Sequence, residues 1–79
     1  MKISEAVSKK ILKICEEKDI TVNKLSTICG ITQSTIDNIV SEDSKNPKLL
    51  TIVRICEGLD MNIYEFFKDS LFDNIDRED

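Results

Sequence analysis

The sequence predicts an all-α fold, a compact bundle of five helices in a single domain. Apolar residues recur at helical spacing along most of the chain, which has only two glycines and one proline. The composition, 41% hydrophobic and 33% charged, is typical of a globular protein rather than a disordered one. At 79 residues the chain supports one domain, whose small core leaves it marginally stable.

The first predicted helix extends from Ser4, its expected N-cap, to about Lys18. Its opposite faces differ in chemistry. The inward face is formed by apolar residues, namely Ile3, Val7, Ile11 and Ile14, and the other face carries Lys9, Lys10 and Lys13. These lysines form either a solvated helix face or a strip that faces phosphates.

Two short helical patterns meet at a Gly-Ile-Thr sequence in the middle of the chain. Thr21 is the predicted N-cap of a helix that reaches about Cys29, because its hydroxyl can accept a hydrogen bond from a first-turn amide. Gly30 is expected to end this helix in the left-handed conformation, and Thr32 to cap the next helix. Two short helices joined by a tight turn match the geometry of a helix-turn-helix motif.

The second helix of this pair has distinct inner and outer faces. Its inner stripe is apolar and comprises Ile36, Ile39 and Val40. The outer face is rich in amides and hydroxyls and comprises Gln33, Ser34, Asp37, Asn38 and Ser41. Such side chains can read base edges in the DNA major groove. Asp37 either accepts a hydrogen bond from a cytosine amino group or lies in solvent.

A fourth helix is predicted from Pro47 to Glu57, after a polar loop. Asn46 is its expected N-cap, and Gly58 is expected to end it. Its buried side is predicted to consist of five apolar residues, Leu49, Leu50, Ile52, Val53 and Cys56.

A fifth helix is predicted to begin after Asn62, with Glu65 at the spacing of a capping box. Phe66 and Phe67 are expected to close the core. Farther on, three apolar residues recur at helical spacing in an acidic segment: Leu71, Phe72 and Ile75. They predict either a dimer-forming helix or packing within the chain. The expected organisation is a helix-turn-helix domain at residues 1–69 and an acidic tail at residues 70–79.

These features together resemble the Cro and repressor type of helix-turn-helix regulator, the xenobiotic-response-element class. The resemblance extends from about Ile11 to Phe67 and depends on the spacing of Leu25, Ser26, Gly30, Ile36 and Ile39, followed by Asn46-Pro47 and an apolar helix. It implies a lambda-repressor-like fold and a transcriptional repressor of bacterial or phage type that binds double-stranded DNA.

Two positions differ from the family pattern. Ser26 stands where alanine is usual, which is tolerable if the hydroxyl bonds back to the preceding turn. Glu42, followed by Asp43, stands near the end of the recognition helix, where glycine is common. The two acids place negative charge where a phosphate approaches.

The resemblance also implies which residues contact DNA. Four of them occupy the family's major-groove positions, namely Gln33, Ser34, Thr35 and Asn38, although the Thr35 hydroxyl can equally reach a phosphate. The hydroxyls of Thr21 and Thr32 are expected to bind phosphates with the amides of their helix N-termini. The expected set is completed by Ser41 and by two cations, Lys45 and Lys48.

The net charge of −4 opposes DNA binding, since phosphate neutralisation supplies most non-specific affinity. The distribution of this charge along the chain makes it less of an obstacle to DNA binding. Residues 58–79 contain two cations and seven acids, a local charge of −5, which leaves +1 on residues 1–57. We therefore expect weak, salt-dependent binding that is helped by a homodimer on a two-fold operator.

Other functional classes have little support. The chain has no histidine, no recognisable nucleophile and base pair and no glycine-rich phosphate loop, so neither enzyme activity nor a cofactor is expected. Cys15, Cys29 and Cys56 are predicted to be buried thiols rather than metal ligands. Without a membrane span or a signal peptide, the protein is expected in the cytoplasm. The alternative function is a protein-interaction module, such as an antitoxin, that binds a partner protein through its acidic C-terminal segment.

Overall fold

The computed structural model describes residues 1–43 and 46–77, and these fold into five α-helices and one 3₁₀ turn. The α-helices are α1 at Ile3–Lys18, α2 at Val22–Cys29, α3 at Gln33–Val40, α4 at Leu49–Gly58 and α5 at Ile63–Phe67. The 3₁₀ turn is at Ser70–Phe72. The predicted all-α, five-helix fold is confirmed.

The core lies where α1 meets α2, α3 and the 3₁₀ turn, with α4 packed on α2 and α5 on α4. Each helix supplies residues to one apolar cluster, which includes Ile11, Leu25, Ile36, Ile55 and Phe66. All five side chains are fully buried. The cluster therefore fixes the angle between α2 and α3 through helices that flank both of them.

The start of α1 differs from the prediction. The N-cap is Lys2, whose extended backbone places its carbonyl to accept from the Ala6 amide at 3.0 Å. Ser4 is buried in the first turn, because Ile3 before it is already helical and packs on the core. Ser8 is also buried, and its hydroxyl donates to the Val40 carbonyl at 2.7 Å. This bond ties the end of α3 to α1.

The fourth helix begins at Leu49, two residues after the predicted start at Pro47. Lys48, in extended conformation, is the N-cap, and its carbonyl accepts from the amides of Thr51 and Ile52. Asn46 therefore caps no helix. The buried residues of α4 are Ile52, Ile55 and Cys56, whereas Leu49 and Leu50 are each 60% exposed, contrary to the prediction.

Gly58 is the last residue of α4 and Leu59 is the C-cap, so the helix runs one residue past the predicted end at Glu57. A Cβ at this position would lie 2.7 Å from the Cys29 Sγ and 2.9 Å from the Cys29 Cα. Glycine is therefore required for the close approach of α4 to α2, and the contact lies at the C-terminal end of α4. The left-handed residue of the turn that follows is Asp60, with φ 55°. Because α4 packs at this end, its first turn projects away from the core.

The capping box of α5 is confirmed. The Asn62 side chain accepts from the Glu65 amide at 2.8 Å, and the Glu65 carboxylate accepts from the Asn62 amide at 3.1 Å. Phe66 is fully buried, as expected, and Phe67 is half-buried. The ring of Phe72 lies 4.9 Å from that of Phe67 and 6.1 Å from that of Phe66, between ring centroids.

A helix was one of the two alternatives expected for the segment after α5. The structure has one 3₁₀ turn there, and residues 73–77 are not helical. Phe72 packs on the core, which is the intramolecular alternative for this residue. Leu71 is half-buried and Ile75 is 36% exposed. The dimer interface at Leu71, Phe72 and Ile75 and the domain boundary after residue 69 stay predictions.

Asp69 joins this segment to α1. Its carboxylate accepts from the Lys10 Nζ at 3.0 Å and from the Lys13 Nζ at 2.7 Å, and it also accepts from the Leu71 amide at 3.0 Å. The Leu71 amide and then the two lysines hold the pKa of Asp69 far below its usual range. The hydrogen bond to Asp69 raises the pKa of Lys13. Neither expected role of this lysine face, solvated surface or phosphate strip, describes Lys10, which is buried.

The N-terminus closes on the same segment. The Met1 amino group donates to the Asn74 carbonyl at 3.0 Å and lies 3.5 Å from the Asp76 carboxylate. The Asp76 amide donates to the Met1 carbonyl at 2.9 Å. The acidic segment is thus attached to Met1 through Asp76, and to the middle of α1 through Asp69.

The three cysteines are free thiols. Cys15 and Cys56 are buried and Cys29 is half-buried, and burial raises the pKa of all three. Within residues 1–43 and 46–77, no helix is both long and apolar enough to cross a membrane.

Candidate nucleic-acid interface

The turn between α2 and α3 is built by local hydrogen bonds. The Thr21 hydroxyl accepts from the Lys24 amide at 3.0 Å and so caps α2, as predicted. Gly30 ends α2 with φ 66° and ψ 33°, and the amides of Gly30 and Ile31 donate to the carbonyls of Thr27 and Ser26. One left-handed residue, Gly30, is thus enough to bring these amides to carbonyls at the end of α2.

Thr32 caps α3, which is also as predicted. Its hydroxyl accepts from the Thr35 amide at 3.4 Å and lies 2.7 Å from the Thr35 hydroxyl and 3.5 Å from that of Ser34. Three hydroxyls therefore surround the N-terminus of α3. Hydroxyls and free first-turn amides can both donate to an anion, and the positive end of the helix dipole lies at the same place.

The outer face of α3 is exposed along its full length. Gln33, Ser34 and Asn38 are exposed, and Thr35 is half-buried on the side facing α4. Ser41 is the C-cap residue of α3, where its hydroxyl lies 3.4 Å from the Asn38 carbonyl. The predicted base-reading side chains therefore share one solvent-facing surface, and Ser41 lies at its far end.

Gln33 is held by two neighbours. Its Nε2 donates to the Asp37 carboxylate at 2.7 Å, and its Oε1 accepts from the buried Ser26 hydroxyl at 3.1 Å. Neither expected role of Asp37, a cytosine contact or a solvated acid, included this bond. Ser26 also donates to the Asn23 carbonyl at 2.7 Å, which confirms the predicted bond to the preceding turn.

A groove of about 530 Å³ lies between α3 and the start of α4. One wall contains Thr32, Thr35 and Asn38, and the opposite wall contains Lys48 and Arg54. Among the residues that the structure describes, no carboxylate lines the groove. Arg54 was missed by the sequence reasoning, although its position four residues after Leu50, another lining residue, places both on one side of α4.

The lysines of the α1 face and the cations of the groove differ in their partners. Lys9, Lys10 and Lys13 are in ion pairs with acids of the same chain. Lys48 and Arg54 have no ion pair within residues 1–43 and 46–77, and both side chains are exposed at the groove. The positive charge of the described residues that line the groove beside α3 therefore comes from α4 and its N-cap, and not from α1. Lys45 lies outside the described residues.

Glu42 follows the C-cap of α3 with φ 67°. This left-handed conformation is the one that glycine adopts most easily, and the family pattern commonly has glycine near this point. Both Glu42 and Asp43 are exposed. The two acids thus stand at the end of α3 that is farther from the helix-turn-helix turn.

Three comparisons with known proteins bear on this geometry. A family model described as the Cro/C1-type helix-turn-helix DNA-binding domain matches residues 10–70. The crystal structure of the prophage Lp1 protein 11 is similar to this chain, with a TM-score of 0.81 and 28% sequence identity, and the match covers 95% of this chain and 100% of that one. A comparison with curated protein sequences finds no match.

Proposed function

Because the chain belongs to the family of Cro/C1-type helix-turn-helix DNA-binding domains, we propose that it is a sequence-specific transcriptional repressor that acts in the cytoplasm. Membership of this family makes it a DNA-binding regulator. Repression would be steric, since a protein bound at a promoter excludes the polymerase. The observation that carries the proposal is the exposed amide and hydroxyl face of α3 beside a groove whose described lining residues include two cations and no acid.

In this proposal α3 enters the major groove. Gln33 and Asn38 read bases, because a side-chain amide can pair with the N6 and N7 of adenine. Ser34 lies between them on the exposed face and can hydrogen-bond either a base or a phosphate. Thr35 is half-buried and turned toward the groove, which favours the phosphate contact over the base contact for its hydroxyl.

The phosphate contacts come from two helix N-termini and from the cations at α4. The N-termini of α2 and α3, capped by Thr21 and Thr32, offer amides to the DNA backbone. Lys48 and Arg54 add charge from the other wall of the groove, and Lys45 precedes them in sequence. Ser41 extends the polar face toward the end of α3. Few cations are involved, so each contact contributes a large share of the electrostatic affinity.

A homodimer on a two-fold operator would raise the affinity of so weakly charged a domain. Two linked recognition helices bind with an effective concentration that a single helix lacks. Leu71 and Ile75 keep exposed apolar surface beside the 3₁₀ turn, which supports this segment as one side of the contact, whereas Phe72 is committed to the core.

Selection of bound DNA from a random pool tests the proposal. We expect a two-fold symmetric consensus, with half-sites about one helical turn apart. The double variant Gln33→Ala, Asn38→Ala should lose about 1–3 kcal/mol of discrimination for each good bidentate contact. Arg54→Gln is the matched comparison: it should weaken binding to all sequences alike and lower the salt slope by about 1.

Two outcomes would count against the proposal. Full sequence-selective affinity in the folded double variant would show that these amides do not read the operator. Failure of the intact protein to retain any DNA at low salt would favour the alternative, a protein-interaction module that uses its acidic C-terminal segment.

A further inference from the structure

We propose that Ser26 and Asp37 are positioning residues that fix the orientation of the Gln33 carboxamide, and that they thereby make α3 select adenine over guanine. The proposal depends on the base-reading function proposed above. It concerns Ser26, which has no place in the predicted DNA contacts, and Asp37, for which a cytosine contact or a position in solvent was expected. One of them, Ser26, is buried on α2 and cannot itself reach a base.

The two partners hold opposite ends of the amide. Asp37, one turn along α3, accepts from the Gln33 Nε2 at 2.7 Å. Ser26, on the neighbouring helix, lies 3.1 Å from the Gln33 Oε1. The Ser26 hydrogen is shared with the Asn23 carbonyl at 2.7 Å, so Ser26 contributes less than Asp37. The side chain is therefore tied to both helices of the motif.

The charge of Asp37 decides which way the amide faces. An ionised carboxylate only accepts hydrogen bonds, so it requires the nitrogen of Gln33 on its side. Turning the amide by half a rotation would bring two acceptor oxygens within 2.7 Å of each other. The Ser26 hydroxyl keeps the Asn23 carbonyl as an acceptor in either orientation, so its bond to the Gln33 Oε1 adds only a smaller preference. The orientation is therefore set mainly by Asp37.

What remains free on Gln33 is one N–H and one lone pair of Oε1. A bidentate contact with adenine uses this combination, one donor for N7 and one acceptor for the N6 amino group. Guanine presents two acceptors, N7 and O6, at the same edge. The fixed amide can satisfy only one of them. If Asp37 did not occupy an Nε2 hydrogen, Gln33 could offer both hydrogens to guanine.

The experiment compares the wild type with Asp37→Asn, whose amide can face Gln33 with either its oxygen or its nitrogen. The probes are duplexes of the selected sequence, with adenine or guanine at the position whose preference is lost in Gln33→Ala. We expect Asp37→Asn to lower the preference for adenine about 3- to 10-fold, the effect of one ordinary hydrogen bond. Ser26→Ala should lower it less, and Asp37→Glu, which keeps a carboxylate, should retain most of it.

Asp43→Asn is the matched control. It removes the same charge from an exposed acid just beyond α3 and makes no contact with Gln33. It should raise affinity for both duplexes equally, through weaker repulsion of phosphates. A gain in affinity without a change in preference thus separates electrostatics from positioning.

A readout without DNA tests the network directly. In the free protein, one Nε2 proton of Gln33 should resonate downfield in the NMR spectrum and move upfield in Asp37→Asn. Unchanged resonances would contradict the network. If Gln33→Ala loses the base preference while Asp37→Asn and Ser26→Ala keep it, positioning is wrong and base reading by Gln33 stands. If Gln33→Ala itself keeps the preference, base reading by Gln33 is wrong, and so is the proposal that Ser26 and Asp37 position it.

Discussion

The helix-turn-helix and the segment after α5 are held in place in opposite ways. Between α2 and α3 the bonds join close neighbours, such as Thr21 with Lys24 and Thr32 with Thr35. After α5, Asp69 pairs with Lys10 and Lys13, which are 59 and 56 positions away. The caps and the turn of the first region are made by bonds within its own sequence, whereas the contacts of the second region require α1 to be in place.

The same difference distinguishes the lysines that are paired within the chain from the cations that are exposed beside α3. The long-range contacts engage Lys10 and Lys13 with an acid of the C-terminal segment, so these lysines are not available to phosphates. The locally built motif leaves its polar face exposed, beside Lys48 and Arg54. The acidic segment that opposed DNA binding in the sequence is therefore partly a structural element that neutralises α1.

The largest effect is expected from Asp69→Asn, which weakens the long-range contacts between the segment after α5 and α1. Lys10 is buried and would lose its partner, so we expect a loss of about 2 kcal/mol of unfolding free energy. For a domain of this size the melting temperature should fall by about 10 °C. Asp73→Asn, an exposed acid in the same segment, should change stability by less than about 0.5 kcal/mol. Equal effects of the two variants would contradict the role of Asp69.

The pH dependence gives the same contact a second test. The Leu71 amide and the two lysines lower the pKa of Asp69 in the folded state, whereas an unfolded aspartate has a pKa of about 3.9. The carboxylate therefore stabilises the fold fully above that pH, and the contribution is lost as the pH falls below it. The difference in melting temperature between wild type and Asp69→Asn should be complete at about pH 7 and shrink below about pH 4. A difference that persists undiminished to about pH 2 would be inconsistent with this linkage.

A smaller effect is expected from Gly30→Ala, which tests the locally bonded turn between α2 and α3. No atom of the described residues beyond its chain neighbours lies within 4 Å of an added Cβ, so the cost is that of a left-handed alanine, about 1 kcal/mol. Gly30→Asn should cost less, because asparagine tolerates this conformation. Calorimetry of the three proteins measures both. Since the turn is independent of Asp69, the double variant with Asp69→Asn should be additive within about 0.5 kcal/mol. A larger interaction energy would show that the two regions are coupled.

The same contrast explains what the sequence could predict. The caps at Thr21, Thr32 and Asn62 could be predicted because each capping hydrogen bond lies within one turn of helix. The exposure of Leu49 and Leu50 was not, because it depends on the close approach of Gly58 to Cys29. Nor was the burial of Lys10. Of the candidate interface, the exposed face of α3 was predictable from helical periodicity, whereas Arg54 became recognisable only when α4 was placed beside it.

The smallest effect is expected at Glu42, where the local sequence conflicts with the local backbone. Its φ of 67° favours glycine, so Glu42→Gly should stabilise the fold by about 0.5 kcal/mol, the relief of strain being partly offset by the entropy of glycine. Glu42→Gln removes the charge but keeps the strain. Both variants should bind DNA more tightly at low salt, but only Glu42→Gly should melt at a higher temperature. Equal melting temperatures would show that the left-handed backbone at Glu42 costs little, and that the acid affects DNA binding through its charge alone.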